Sequence, residues 1–155
     1  MIIKLQRGFK TVIDKEDFEK IKPFHWSYGF GGRYVGTNIG GRKNHKQILL
    51  HRFIMNTPQG LHTDHINGNR LDNRKSNLRI CTPSQNQFNS KKHLLKSSYY
   101  KGVSWFKRDG CWRAYIVKKN KQYHLGYFQD EVDAARAYNK KAVDLFGKYC
   151  CLNKI

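Results

Sequence analysis

The chain has 155 residues and carries 30 Lys plus Arg against 11 Asp plus Glu, a formal net charge of +19. That excess goes far beyond what solubility needs and calls for a polyanionic partner; the length allows one ordinary domain or two or three small modules with modest cores. No apolar run exceeds a handful of residues, Ile48-Leu49-Leu50 being typical, so nothing spans a bilayer. Lys4 and Arg7, with no apolar segment behind them, do not make a signal peptide. A soluble, cytoplasmic protein with no membrane partner is expected.

Residues 1–96 hold 18 basic and 6 acidic side chains and residues 97–155 hold 12 and 5, so both parts look built to sit near phosphates. Cys81, Cys111, Cys150 and Cys151 show no paired C-x-x-C spacing, which argues against a zinc ribbon and against a secreted disulfide scaffold. Reduced structural thiols are expected.

From the N-terminus, β-prone runs at Lys10–Ile13, Arg33–Asn38 and Gln47–Phe53 alternate with glycine clusters at Gly29–Gly32 and Gly40-Gly41, a hairpin-like pattern. Between them Asp14–Ile21 reads as a short helix, with Asp14 as N-cap, Asp17 in the first turn and Phe18 with Ile21 as its apolar side. Gly60–Asn77 then turns rich in His, Asp, Asn, Gly and Arg, with few apolar residues, and reads as a loop. Leu78–Cys81 reads as a short strand. Thr82-Pro83-Ser84-Gln85 is a helix start, with Thr82 as N-cap, Pro83 at the first helical position and Gln85 closing a capping box. This helix should run to about Lys92, with a basic linker over Lys91–Ser98.

Beyond the linker, strands are predicted at Gly102–Phe106, Trp112–Lys118 and Gln122–Tyr127, separated by turns at Arg108-Asp109-Gly110 and Lys119-Asn120-Lys121. In the middle strand Trp112, Ala114 and Ile116 share one face and Arg113, Tyr115 and Val117 the other, the period of a half-buried sheet. Asp130–Phe146 carries Val132, Ala135, Tyr138, Ala142 and Phe146 at helical spacing, a stripe suited to cover the apolar sheet face.

The polar loop carries the chemistry. Cleaving a phosphodiester needs an activated water, neutralisation of charge on the phosphorus oxygens and stabilisation of the leaving oxygen. A neutral imidazole takes a water proton near pH 7, and a divalent ion on oxygen ligands supplies much of the rest. Asp64, His65 and Asn86 are the residues here that meet those needs if a strand, a loop, a second strand and a capped helix bring them together.

At this point the sequence resembles the HNH, or His-Me finger, endonucleases, particularly their homing branch. The carrying residues are Leu50-His51-Arg52, the run DHINGN over 64–69, the run LDNRKSNLR over 71–79, and Gln85-Asn86. The resemblance implies His65 as general base, Asp64 and Asn86 holding one divalent metal ion, Mg²⁺ or else Mn²⁺, and Asn77 fixing the loop and orienting His65. No small-molecule cofactor is implied. Asn67, Gly68, Asn69 and Asn73 look like turn formers, and Arg70, Arg74 and Arg79 are either phosphate contacts or part of a solvated basic loop. His51 is expected to be structural or phosphate-facing, and His62, His65 and Cys81 lack a fourth ligand for zinc.

Residues 99–155 resemble the ethylene-response-factor (APETALA-type) DNA-binding domain through Tyr100-Lys101-Gly102-Val103, Trp112-Arg113-Ala114, His124–Phe128, Ala134–Asn139 and Leu152-Asn153. A three-stranded sheet in the DNA major groove, backed by a helix, is what this resemblance implies, and such a ribbon fits that groove. By position the contact face maps onto Lys101, Ser104, Phe106 or Lys107, Arg113, Tyr115, Val117, Gln122 and His124. Several arginines of the family pattern are replaced here by Ser, Tyr and Val, so the plant target sequence does not carry over. A face that meets only backbone phosphate is the alternative.

The expected fold is α+β: a β-rich unit over 1–53, a ββα-metal nuclease core over 54–93, a linker over 94–98, and over 99–155 a three-stranded antiparallel sheet packed on one helix. The expected function is metal-dependent cleavage of double-stranded DNA by a monomeric, homing-type endonuclease encoded by a bacterium or phage. The alternative is a non-cleaving DNA-binding regulator with an inactive nuclease fold. RNA binding fits the charge, but an aromatic pattern such as the RRM's is missing.

Overall fold

A computed structural model describes residues 1–40, 44–89 and 97–155. It divides into two compact units, Met1–Asn86 and Gln87–Ile155. Both are mixtures of antiparallel sheet and helix, an α+β arrangement. Among the described residues no helix is long and apolar enough to cross a membrane.

The first unit opens with a hairpin: β1 (Ile2–Lys4), which the sequence pattern did not announce, pairs antiparallel with β2 (Lys10–Val12), the first of the expected β-prone runs. A 3-10 turn at Lys15–Asp17 leads into α1 (Phe18–Ile21), shorter than the helix expected from Asp14. Asp14 does not cap that turn with its side chain; its Oδ2 instead accepts from the backbone N of Lys75 at 2.7 Å. A sheet of order β3-β4-β5 follows, from β3 (Ser27–Phe30), β4 (Tyr34–Ile39) and β5 (Lys46–Leu49).

The run Gln47–Phe53 is strand only in its first part. It turns at Leu49 into α2 (Leu50–Ile54), which buries Leu50 and Ile54 four residues apart. Burial against the core decides the conformation there, where β-branched and aromatic content had favoured strand. β6 (His62–His65) and β7 (Leu78–Cys81) then form an antiparallel pair, with Asp64 opposite Arg79 and His65 opposite Leu78. The next element is α3 (Pro83–Phe88). Its capping box forms as read: Thr82 N donates to Gln85 Oε1 at 2.8 Å and Gln85 N to Thr82 Oγ1 at 3.2 Å. The helix ends at Phe88 with Asn89 in a turn; residues 90–92 of the expected continuation to Lys92, and the linker up to residue 96, lie outside the described residues.

One apolar cluster holds this unit together: Leu5, Ile13, Ile21, Trp26, Val35, Leu50, Ile54 and Leu78 are all buried in it. Each fully buried aliphatic side chain contributes on the order of 1.5–3 kcal/mol. The N-terminal strands and the polar loop are also joined by backbone. Val12 N donates to Leu71 O and Asn73 N donates to Val12 O, both at 2.8 Å, a parallel bridge between β2 and the segment 71–73.

The second unit follows the sequence pattern closely. β8 (Val103–Phe106), β9 (Cys111–Lys118) and β10 (Lys121–Phe128) form a sheet of order β10-β9-β8, covered by α4 (Glu131–Phe146). Asp130 caps α4, its Oδ1 accepting from Val132 N at 2.7 Å and Asp133 N at 3.1 Å. Ala134, Ala135, Tyr138, Ala142 and Phe146 are buried on α4, in two apolar clusters with Val103, Ala114 and Ile116 of the sheet. Small alanines let helix and sheet approach closely. Gly102 is needed at its place: φ is +72°, and a Cβ would sit 2.1 Å from Tyr138 Cδ2 and 2.4 Å from Tyr115 O.

Candidate active site

β6 delivers Asp64 and His65 to the mouth of the polar loop, and both are buried, at 8% and 4% exposure. Consecutive strand residues point to opposite faces, so the two side chains part company at once. His65 turns inward to a wall of rings. Its imidazole lies 5.0 Å from His51 of α2 and 6.1 Å from Tyr34 of β4, centre to centre, and Tyr34 is 4.8 Å from His51. His65 Nε2 is 3.1 Å from Asn73 Oδ1. Burial lowers the His65 pKa from its ordinary value, and the hydrogen bond to Asn73 offsets part of that.

His51 is buried rather than phosphate-facing, and its Nδ1 has no hydrogen-bond partner among the described residues. Burial, with the neighbouring His65 second, pushes its pKa down to about 3. It therefore stands as an uncharged, ring-shaped packing element beside His65.

Asp64 faces the other way and meets Arg79 across the β6–β7 pair, its Oδ2 accepting from Nε at 2.9 Å and from Nη2 at 2.6 Å. His62, two residues earlier and hence on the same face, places Nδ1 3.2 Å from Asn86 Nδ2 of α3. Asn86 of α3 thus meets His62, which shares a face of β6 with Asp64. A carboxylate and an amide are hard oxygen donors of the kind Mg²⁺ accepts while keeping several waters. No group of three or more His, Cys, Asp or Glu suited to a metal occurs among the described residues. Asp64 and Asn86 are donors of the type a hard cation accepts, and the Arg79 guanidinium is the cation that Asp64 holds here.

Asn77 is a loop brace. Its Oδ1 accepts from Asn67 N at 3.0 Å, its Nδ2 donates to Asp72 O at 2.8 Å, and its own carbonyl accepts from Ile66 N at 2.8 Å. The 3-10 turn that carries it, Lys75–Asn77, is tied to the first unit's start. Lys75 Nζ pairs with Glu16 at 2.6 Å and Asp17 at 3.0 Å, which raises its pKa to about 12.

Arg70, Arg74 and Arg79 differ. Arg74 makes a two-pronged bond to Asp72, at 2.8 and 2.7 Å, and those bonds hold the Asp72 carboxyl below its usual range. Arg79 is committed to Asp64. Arg70 has no ion pair among the described residues; it donates to Gly32 O at 2.8 Å and stacks 4.5 Å from the Tyr34 ring centre.

In the second unit, register sets the outer face of the sheet: Ser104 lies opposite Arg113, Tyr115 opposite His124, and Val117 opposite Gln122. The Arg113 guanidinium sits 5.5 Å from the Phe106 ring and 5.6 Å from the Tyr115 ring. Arg113 Nε and Ser104 Oγ are buried with no hydrogen-bond partner among the described residues. Phe106, rather than Lys107, shares this face; Lys107 is exposed in the turn that follows. Lys101 is half-buried, its Nζ donating to Phe88 O at 3.0 Å. Thr11 and Tyr34 join the site without any sequence signal, and Asn73, expected only as a turn former, meets His65. Thr11 and Asn73 meet across 62 positions, which no local pattern signals.

An HNH endonuclease family model matches residues 56–88, the stretch from the end of α2 to the end of α3. An uncharacterized HNH endonuclease of Acanthamoeba polyphaga mimivirus is 31% identical over 155 residues, covering 96% of this chain and 77% of that protein. The chain belongs to the HNH endonuclease family. YosQ, which bears the name of an HNH homing endonuclease of an SPbeta prophage in Bacillus subtilis, is 31% identical over 99 residues, 61% of this chain and 49% of its own length. An AP2-like ethylene-responsive transcription factor of Arabidopsis thaliana is 41% identical over 58 residues, 37% of this chain but 12% of the factor. No solved structure matches the chain.

Proposed function

We propose that the protein is a metal-dependent DNA endonuclease of the homing type, with β6, β7 and α3 as its ββα-metal unit and the sheet of the second unit as its DNA-holding face. The division into a scaffold over 1–53, a nuclease core over 54–93, a linker over 94–98 and a DNA-binding module over 99–155 is part of this reading. The observation that carries it is His65: an imidazole buried at the mouth of the polar loop, held 3.1 Å from Asn73 Oδ1 with its pKa lowered by burial, in a chain of net charge +19.

His65 takes the proton of the attacking water. Asn77 holds the loop behind it, and Arg70 meets a phosphate oxygen of the substrate. Asp64 and Asn86 would hold the divalent ion, Mg²⁺ or Mn²⁺, which when bound neutralises charge at the scissile phosphate. Arg79 releases the Asp64 carboxylate when a phosphate offers it a second anion, and Arg74 keeps its loop rigid through Asp72. On the second unit, the Arg113 guanidinium between two rings meets a base edge or phosphate, with Ser104, Tyr115, Gln122 and His124 around it. Lys101 and Lys107 flank that face and contribute charge. The protein acts as a monomer on double-stranded DNA.

A second reading, a DNA-binding regulator that does not cut, is favoured by the Asp64–Arg79 ion pair, which occupies the carboxylate a metal needs. One assay decides: supercoiled DNA with purified protein and Mg²⁺, with and without chelator, beside His65→Ala. Metal-dependent nicking lost in His65→Ala supports the nuclease. Duplex binding without nicking over a range of sequences supports the regulator.

A further inference from the structure

We propose that Asn73 is a positioning residue for His65 and that Thr11, on β2, is its anchor, so that the N-terminal hairpin sets which nitrogen of the catalytic imidazole is basic. This rests on the nuclease reading for its consequence, though not for its geometry.

The hydrogen bonds fix a direction step by step. Leu71 O can only accept, and Thr11 Oγ1 lies 2.9 Å from it, so the single hydroxyl proton of Thr11 goes there. Thr11 Oγ1 must then accept from Asn73, 2.8 Å away, which turns the amide NH₂ toward Thr11. That orientation presents Asn73 Oδ1 to His65, and a carbonyl oxygen demands a donor, so Nε2 of His65 carries a proton. In the neutral ring the basic lone pair then sits on Nδ1. Thr11 is 0% and Asn73 1% exposed, so water does not offer the amide a competing partner. The backbone is locked as well, because Asn73 N donates to Val12 O beside Thr11. Asn77, by contrast, has its side chain on Asn67 N and Asp72 O. Orientation of the imidazole and bracing of the loop are thus divided between two asparagines.

The test uses the full chain labelled with ¹⁵N-histidine. The His65 ring signals, identified by their loss in His65→Gln, report which nitrogen is protonated. In the wild type the Nε2–H form is expected. Asn73→Leu should give a mixture of the two forms and lower kcat by about 10- to 100-fold with KM little changed, the usual cost of losing a group that orients a functional histidine. Thr11→Val, which keeps the buried volume, should act in the same direction more weakly, and Thr11→Ser should restore the wild-type ring form and rate. Asn73→Asp keeps the acceptor and should keep Nε2–H, and it covers the case in which Asn73→Leu fails to fold. An Nδ1–H form in the wild type, or an unchanged ring form and kcat in both Asn73→Leu and Thr11→Val, overturns the assignment. If the wild type cuts no DNA, the nuclease reading falls, while the ring form still decides the role of Asn73.

Discussion

The two units bury polar chemistry very differently. Of the eleven buried polar or charged residues among those described, ten lie in Met1–Asn86 and one, Ser98, lies in Gln87–Ile155. The second unit is an apolar sheet face under an amphipathic helix, and its polar groups stand on the outer face. The first unit instead encloses Thr11, Asp64, His65, Asp72, Asn73 and Asn77, and each must find a partner or cost about 1–3 kcal/mol. A buried network has few alternative arrangements, whereas an exposed face tolerates adjustment. Substitutions in the first unit should therefore act on rate in large steps, and those on the second unit's face should act on affinity in small ones.

The largest expected effect is His65→Ala. Nicking of supercoiled DNA should fall by about 10²- to 10⁴-fold, the usual share of a general base, while duplex binding measured by gel shift stays at the wild-type level. Loss of binding instead would erase the division of labour.

Acid should come next and should strike the first unit. His51 titrates near its ordinary 6.5 when unfolded and at about 3 when folded. Between those values the unfolded chain binds more protons, so stability rises with pH there. The contribution is full above about pH 6.5 and is lost as pH falls toward 3. Thermal melts should show the first unit weakening over that window, and His51→Gln should flatten the trend.

Gly102→Ala reverses the target. A Cβ there meets Tyr138 and Tyr115, so the second unit should lose about 1–3 kcal/mol, the usual cost of overpacking, with a lower melting transition and unchanged ring signals for His65. The smallest effect should come from Arg113→Ala: duplex affinity about tenfold weaker, with a salt slope shallower by about one if the contact is to phosphate. An unchanged affinity would remove Arg113 from the DNA-holding face.

The capping box at Thr82, the strands β8 to β10 and the stripe on α4 were legible because each depends on residues within a turn or two of one another. The spacing of Asp64, His65, Asn77 and Asn86 likewise pointed to HNH chemistry through resemblance. Local pattern failed where contacts span long stretches. Lys46–Leu49 runs from strand into helix at Leu50 because the core wants Leu50 and Ile54 on one side. Asp14 serves Lys75, 61 residues away, and not its own turn. Arg79 faces Asp64 because β-register puts it there.

The sequence by itself thus determined the charge, the element types with strong short-range signals, and the candidate side chains for phosphodiester cleavage. Only the tertiary structure decided how those side chains are held: His65 against Asn73, with Thr11 behind it and the rings of His51 and Tyr34 beside it. The reason is physical. A hydrogen bond's donor and acceptor, and a ring's packing partners, are set by which distant segments the apolar core brings within a few ångströms, and periodicity along one segment carries no record of that.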